Sequence, residues 1–75
     1  MKRNEKLAKE YARRIREIRK KMRLTQQELA NLINCSLRRL QDWEYAKHCP
    51  RVWYRVKIDK LYEKLEGKEG GGNEN

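Results

Sequence analysis

Arg38, Gln41 and Asp42 lie three and four residues apart, the interval that brings side chains onto one face of a helix. Together they offer a forked guanidinium, an amide with both donor and acceptor, and a carboxylate. Groups of this kind recognise flat hydrogen-bonding edges by paired bonds. Ser36, Leu37, Arg39 and Tyr45 surround them, and Lys47 and Arg51 follow closely. Covalent chemistry lacks its parts. There is one histidine, His48, and the carboxylates sit on charged helix faces, so neither an acid–base pair nor a metal cluster is expected. Cys35 and Cys49 form no CxxC pair and no zinc spacing with His48. The chain is therefore expected not to be an enzyme and to carry no cofactor.

Short elements must position these side chains. Thr25 and Glu28 form a T-x-x-E capping box, which predicts a helix starting at Gln26. Asn34 stands where the chain must turn, and asparagine tolerates the left-handed conformation well. Ser36 is a second N-cap, predicting a helix that runs to about Tyr45. Two helices crossing over so tight a turn make a helix-turn-helix unit. Before it, Leu7, Tyr11, Ile15, Ile18 and Met22 fall within an arc of about 80° at about 100° per residue, an amphipathic helix over about Asn4 to Met22. Lys6, Lys9, Arg13, Arg16 and Lys20 lie opposite, as a solvated ridge or as a source of nonspecific affinity for phosphate. After Glu44, Pro50 forces Cys49 out of helical geometry and opens a last helix over about Arg51 to Leu65. Tyr54, Ile58, Leu61, Tyr62 and Leu65 share its core face, whereas Val52, Trp53 and Val56 point away.

The chain has 75 residues, enough for one small domain near the lower limit for folding without staples. Twenty Lys and Arg against eleven Asp and Glu give a net charge of +9, which favours a polyanionic partner. Cys35 reads as a buried small apolar residue, in keeping with a reducing compartment. No apolar run reaches spanning length and no signal peptide is evident, so a soluble cytoplasmic protein is expected. Residues 1–66 are expected to form the domain, and the polar, glycine-rich 67–75 a disordered tail.

The run Leu24, Thr25, Gln26, Glu28, Leu29, Ala30, Ile33, Asn34, Cys35, Ser36, Leu40, Trp43, Glu44 resembles the helix-turn-helix of the phage repressor and Cro superfamily. Its typical form is L-T-Q-x-E-L-A-x-x-L-G-V-S-x-x-x-I-x-x-W-E. The likeness spans roughly residues 11 to 65, and Asn34 replaces the turn glycine. Ala46 also stands where the family often has glycine. The resemblance implies an all-α, compact bundle of four to five helices, lambda-repressor-like. It further implies sequence-specific binding of double-stranded DNA by a homodimer on a near-palindromic operator, as in a Cro-like repressor, without a small-molecule ligand.

With Leu40 and Trp43 inward, Arg38, Gln41, Asp42 and Tyr45 turn outward, while Ser36 and Leu37 occupy the exposed start of the second helix. In a helix-turn-helix protein that end enters the major groove. Arg38 then suits guanine O6 and N7, Gln41 adenine or a phosphate, and Leu37 a thymine methyl. Asp42 is expected to orient Arg38, with acceptance from cytosine N4 as the alternative. By resemblance, Gln26 should touch the DNA backbone and brace a recognition-helix side chain. Arg39, Lys47 and Arg51 are candidates for phosphate contact. Glu44 is expected to pair with an unspecified arginine of the first helix. Val52, Trp53 and Val56 are the expected dimer contact. Two rivals remain: an antitoxin-like module using that patch for another protein, and a membrane-surface binder using the basic first helix.

Overall fold

The computed structural model describes residues 2–66, and the expected tail at 67–75 lies outside the described residues. Four helices follow in order: α1 (Lys2–Met22), α2 (Gln26–Ile33), α3 (Leu37–Glu44) and α4 (Val52–Glu66), with no strand among the described residues. The chain is thus an all-α four-helix bundle. The starts of α2 and α3 are fixed locally. Thr25 Oγ1 accepts from the Glu28 N–H at 3.1 Å while the Thr25 N–H donates to Glu28 Oε1 at 2.8 Å, completing the capping box. Ser36 Oγ accepts from the Arg39 N–H at 3.1 Å and starts α3.

Three helix exits use the same device. Arg23, Asn34 and Ala46 take left-handed backbone with φ of 57°, 63° and 61°. In each case the next residue donates to a carbonyl five residues back: Leu24 to that of Arg19, Cys35 to that of Ala30, Lys47 to that of Asp42, at 2.8–2.9 Å. This pattern satisfies carbonyls that the helix end leaves open. Lys57 of α4 also donates to the Ile33 carbonyl at 3.4 Å. Only Asn34 among the three has a side chain suited to this conformation.

The core is built from Tyr11, Ile15 and Ile18 of α1, Leu29, Ala30 and Ile33 of α2, Leu40 and Trp43 of α3, and Ile58 of α4. Leu7, Leu24, Cys35, Tyr54, Leu61, Tyr62 and Leu65 pack around it half-buried. Ala30 is fully buried where the two short helices approach. Two expectations need correction. Met22 is exposed, because Arg23 reverses the chain immediately after it and leaves the last turn of α1 overhanging. Cys35 is half-buried rather than buried, though desolvation raises its thiol above the usual range. Ala8 and Ala12 are buried instead of Met22 and let α1 lie close to its neighbours. Burial of the aliphatic side chains contributes about 1.5–3 kcal/mol each, the main term holding four helices together.

A polar clamp joins α1 to α4. Tyr11 Oη donates to Asp59 Oδ2 at 2.8 Å, and Arg14 Nη1 donates to Asp59 Oδ1 at 2.6 Å. The Arg14 guanidinium lies 5.0 Å from the Tyr11 ring centroid and 5.3 Å from that of Tyr62, within cation–π range. Tyr62 Oη donates to Glu17 Oε1 at 3.1 Å, adding a third bond between the same helices.

Burial first, then the hydrogen bond to Asp59 and its charge, push the Tyr11 phenol up to about 12. A raised folded-state value contributes stability that is complete below the unfolded value near 10 and is lost as pH climbs through 12. The stability difference between the native chain and Tyr11→Phe should therefore shrink from pH 10 to pH 12 in urea unfolding, and a constant difference would contradict the clamp. Ala46→Gly should stabilise the fold by about 1 kcal/mol, since glycine adopts the left-handed region without a Cβ penalty. Thermal or urea unfolding checks this, and a lowered midpoint would refute it.

Candidate nucleic-acid interface

The orientation of α3 decides what it can present. Leu40 is fully buried and Trp43 is 4% exposed, with the Trp43 ring 5.0 Å from Tyr54 at a tilt of 51°. Arg38, Arg39 and Tyr45 are consequently exposed, as is Ser36 at the N-terminal end. Leu37, Gln41 and Asp42 are half-buried on the flanks. Lys47 and Arg51 are exposed on the connector, and Gln26 is half-buried at the start of α2. One surface thus carries the open ends of α2 and α3. Backbone N–H groups at such ends, with the helix dipole behind them, attract phosphate oxygens.

Glu44 is the most deeply placed charge of the site, at 2% exposure. Arg19 of α1 donates to its Oε2 through Nε at 3.1 Å and Nη2 at 2.7 Å. Gln26 Nε2 donates to Glu44 Oε1 at 2.7 Å, and Gln41 Nε2 donates to Gln26 Oε1 at 3.2 Å. Arg16 Nη1 donates to the Glu44 main-chain carbonyl at 2.9 Å, covering the last turn of α3 with positive charge. Arg19 also reaches the Leu24 carbonyl at 3.3 Å. A single carboxylate therefore ties α1, α2 and α3 together directly beneath the exposed face.

The arginine partner of Glu44 was not identifiable from sequence, and the roles of Arg16 and Arg19 were missed. A signal existed. Glu44 follows Leu40 by four residues and Trp43 by one, on the edge of the buried stripe, and a charge there requires a partner. Arg19 sits one residue past Ile18 on α1, on the edge of the opposing stripe.

Asp42 behaves differently from expectation. The ion pairs among the described residues do not include Arg38–Asp42. Asp42 instead lines an open cleft of about 330 Å³ with Arg39, Trp43, His48, Cys49 and Arg51. The cationic residues of that cleft are Arg39, three residues before Asp42 on α3, and Arg51 on the connector, and neither forms an ion pair with Asp42. Arg38 is left to project without a carboxylate to hold it. Gln41, read from sequence as outward-facing, is half-buried and held by Gln26, which is the brace expected of that residue.

Val52, Trp53 and Val56 lie together on the outer side of α4, with Trp53 59% exposed. The Trp53 ring stands 6.2 Å from Tyr54 and so borders the core without entering it. No group of three or more His, Cys, Asp or Glu side chains among the described residues is placed to hold a metal ion. No helix among the described residues is long and apolar enough to cross a membrane.

Neither the curated proteins nor the solved structures contain a match to this chain. Residues 15–52 match the family model described as helix-turn-helix. That span begins at Ile15 in the core of α1, runs through the capping box, the Asn34 turn and the whole of α3, and ends as α4 starts. With half of its length covered by that match, the chain belongs to the helix-turn-helix family, a family of non-catalytic DNA-binding domains.

Proposed function

We propose that this protein is a transcriptional regulator that binds double-stranded DNA sequence-specifically as a homodimer, most simply a Cro-like repressor of a near-palindromic operator. The observation that carries this reading is α3 itself: Leu40 and Trp43 are buried while Arg38, Arg39 and Tyr45 face outward. The start of α3 enters the major groove, and Arg38 donates two bonds to guanine O6 and N7. Leu37 packs on a thymine methyl. Gln26, Ser36, Arg39, Lys47 and Arg51 hold the phosphate backbone and set register. Asp42 shares a cleft with Arg39 and Arg51 on the flank of that contact, and Tyr45 closes its edge. The net charge of +9 raises affinity for all duplexes and makes it fall with salt.

The homodimer reading is supported by the outer side of α4. Val52, Trp53 and Val56 form an exposed apolar cluster within five residues of one helix, on a strongly charged domain whose other exposed large apolar residues, Met22, Leu32 and Tyr45, lie on other elements. A two-fold dimer that reads a near-palindromic operator needs its recognition helices about one helical turn, roughly 34 Å, apart. The same patch also favours a second reading, an antitoxin-like module that docks another protein there while binding DNA.

Selection from a random duplex pool should return a symmetric site. In that assay Arg38→Ala should relax preference at one position per half-site, at a cost of about 1–3 kcal/mol. Lys47→Ala should weaken all sequences alike and lower the salt slope by about one; the opposite pattern would overturn the assignments. Trp53→Glu should convert dimer to monomer in sedimentation and weaken operator binding. An unaltered mass would remove α4 as the dimer face.

A further inference from the structure

Glu44, Gln26 and Gln41 form a chain of hydrogen bonds that has a direction. A carboxylate paired with a guanidinium only accepts, so Glu44 accepts from Arg19 at one oxygen and must be met by a donor at the other. Gln26 can meet it in one way, with its NH₂ turned inward at 2.7 Å from Glu44 Oε1. Its amide oxygen is then directed away from Glu44. That oxygen accepts from Gln41 Nε2 at 3.2 Å, so Gln41 must also present its NH₂ toward Gln26. The amide orientation of two glutamines is therefore dictated by a charge buried beneath them.

The consequence is chemical. Gln41 commits one N–H to Gln26 and retains its Oε1 and a second N–H. One acceptor beside one donor is the complement of adenine, whose major-groove edge offers the N6 amine and the N7 acceptor. Guanine offers two acceptors, O6 and N7, and is poorly matched by that pair. Resting on the reading of α3 as the groove helix, we propose that Glu44 is a specificity-determining positioning residue: through Gln26 it fixes the Gln41 amide in the polarity that selects adenine over guanine at one base pair of each half-site.

Replacing Glu44 with glutamine tests the direction of the chain. The new amide keeps its oxygen toward Arg19 and turns its NH₂ toward Gln26, which must then flip and offer its own NH₂ to Gln41. Gln41 now accepts from Gln26 and has two N–H groups left, the match for guanine. Gln26→Ala removes the link while leaving the Arg19–Glu44 pair in place, so it keeps the proposal testable if Glu44→Gln fails to fold.

The experiment has two arms. Sites are selected from a random duplex pool with the native chain, Gln41→Ala, Gln26→Ala and Glu44→Gln. The side-chain amide resonances of Gln26 and Gln41 are recorded by ¹⁵N NMR on the same proteins without DNA. The native chain should enrich an adenine that Gln41→Ala loses. Gln26→Ala should reduce discrimination at that position by about tenfold, and Glu44→Gln should move it toward guanine. Both variants should shift the Gln41 amide signals in the absence of DNA. Unaltered preference at that position in the folded variants, or Gln41 signals unmoved by Gln26→Ala, overturns the relay and leaves DNA reading by Arg38 standing. A native chain that enriches no sequence overturns the adenine assignment and the DNA-reading proposal together.

Discussion

The buried ion pair between Arg19 and Glu44 is the constraint on which the rest of the structure depends. Glu44 is the one charged residue among the fully buried side chains of the described residues. An isolated carboxylate in such a place is costly, and removal of one partner from a buried pair destabilises by about 3–5 kcal/mol. Arg19 offsets the cost with two hydrogen bonds to the same oxygen, and Gln26 satisfies the other oxygen. Replacing the whole group with apolar residues would give a fold of comparable stability. What the pair adds is geometry: it fixes α3 in rotation and height against α1 and α2. If α3 rolled by one residue, Arg38 would give up its place at the exposed surface to a neighbour.

The hydrophobic core and the polar clamp divide the work between two ends of α1. Its middle, at Ile15 and Ile18, belongs to the core cluster that all four helices share, and its packing is chiefly on α3 and α4. Arg14 and Tyr11 bind it to Asp59 of α4, and Arg16 and Arg19 bind it to the end of α3. A 21-residue helix in a 75-residue chain thus serves as the frame on which two eight-residue helices are mounted. Helices of eight residues are too short to be stable alone. Their order derives from caps at both ends and from the frame.

Features set by local chemistry were legible in the amino-acid sequence. The capping box at Thr25 and Glu28, the turn at Asn34 and the cap at Ser36 each involve neighbours within five residues, and the structure contains all of them. Helix boundaries followed within about two residues. Periodicity located Ile15, Ile18, Leu40, Trp43 and Ile58 in the core, but it counts only large apolar side chains. It therefore passed over Ala8 and Ala12 and admitted Met22, whose burial depends on where the chain turns next. The surroundings of Asp42 and Glu44 depend on which helix packs where, and side-chain spacing within one helix cannot supply that. For Asp42 the in-helix neighbour Arg38 was the natural choice, yet Asp42 is in no ion pair among the described residues and lines a cleft that the connector completes.

The two indoles sit in opposite surroundings: Trp43 is sealed beneath α3 against Tyr54, and Trp53 faces water on α4. Their fluorescence is correspondingly divisible. Burial shifts emission from the shielded ring to the blue and protects it from aqueous quenchers, whereas the ring on α4 emits further to the red and is reached by iodide in the single chain, and loses both properties where a partner covers it. The molecule thus contains separate optical reporters for its interior and for the side of α4 left uncovered, with no label attached.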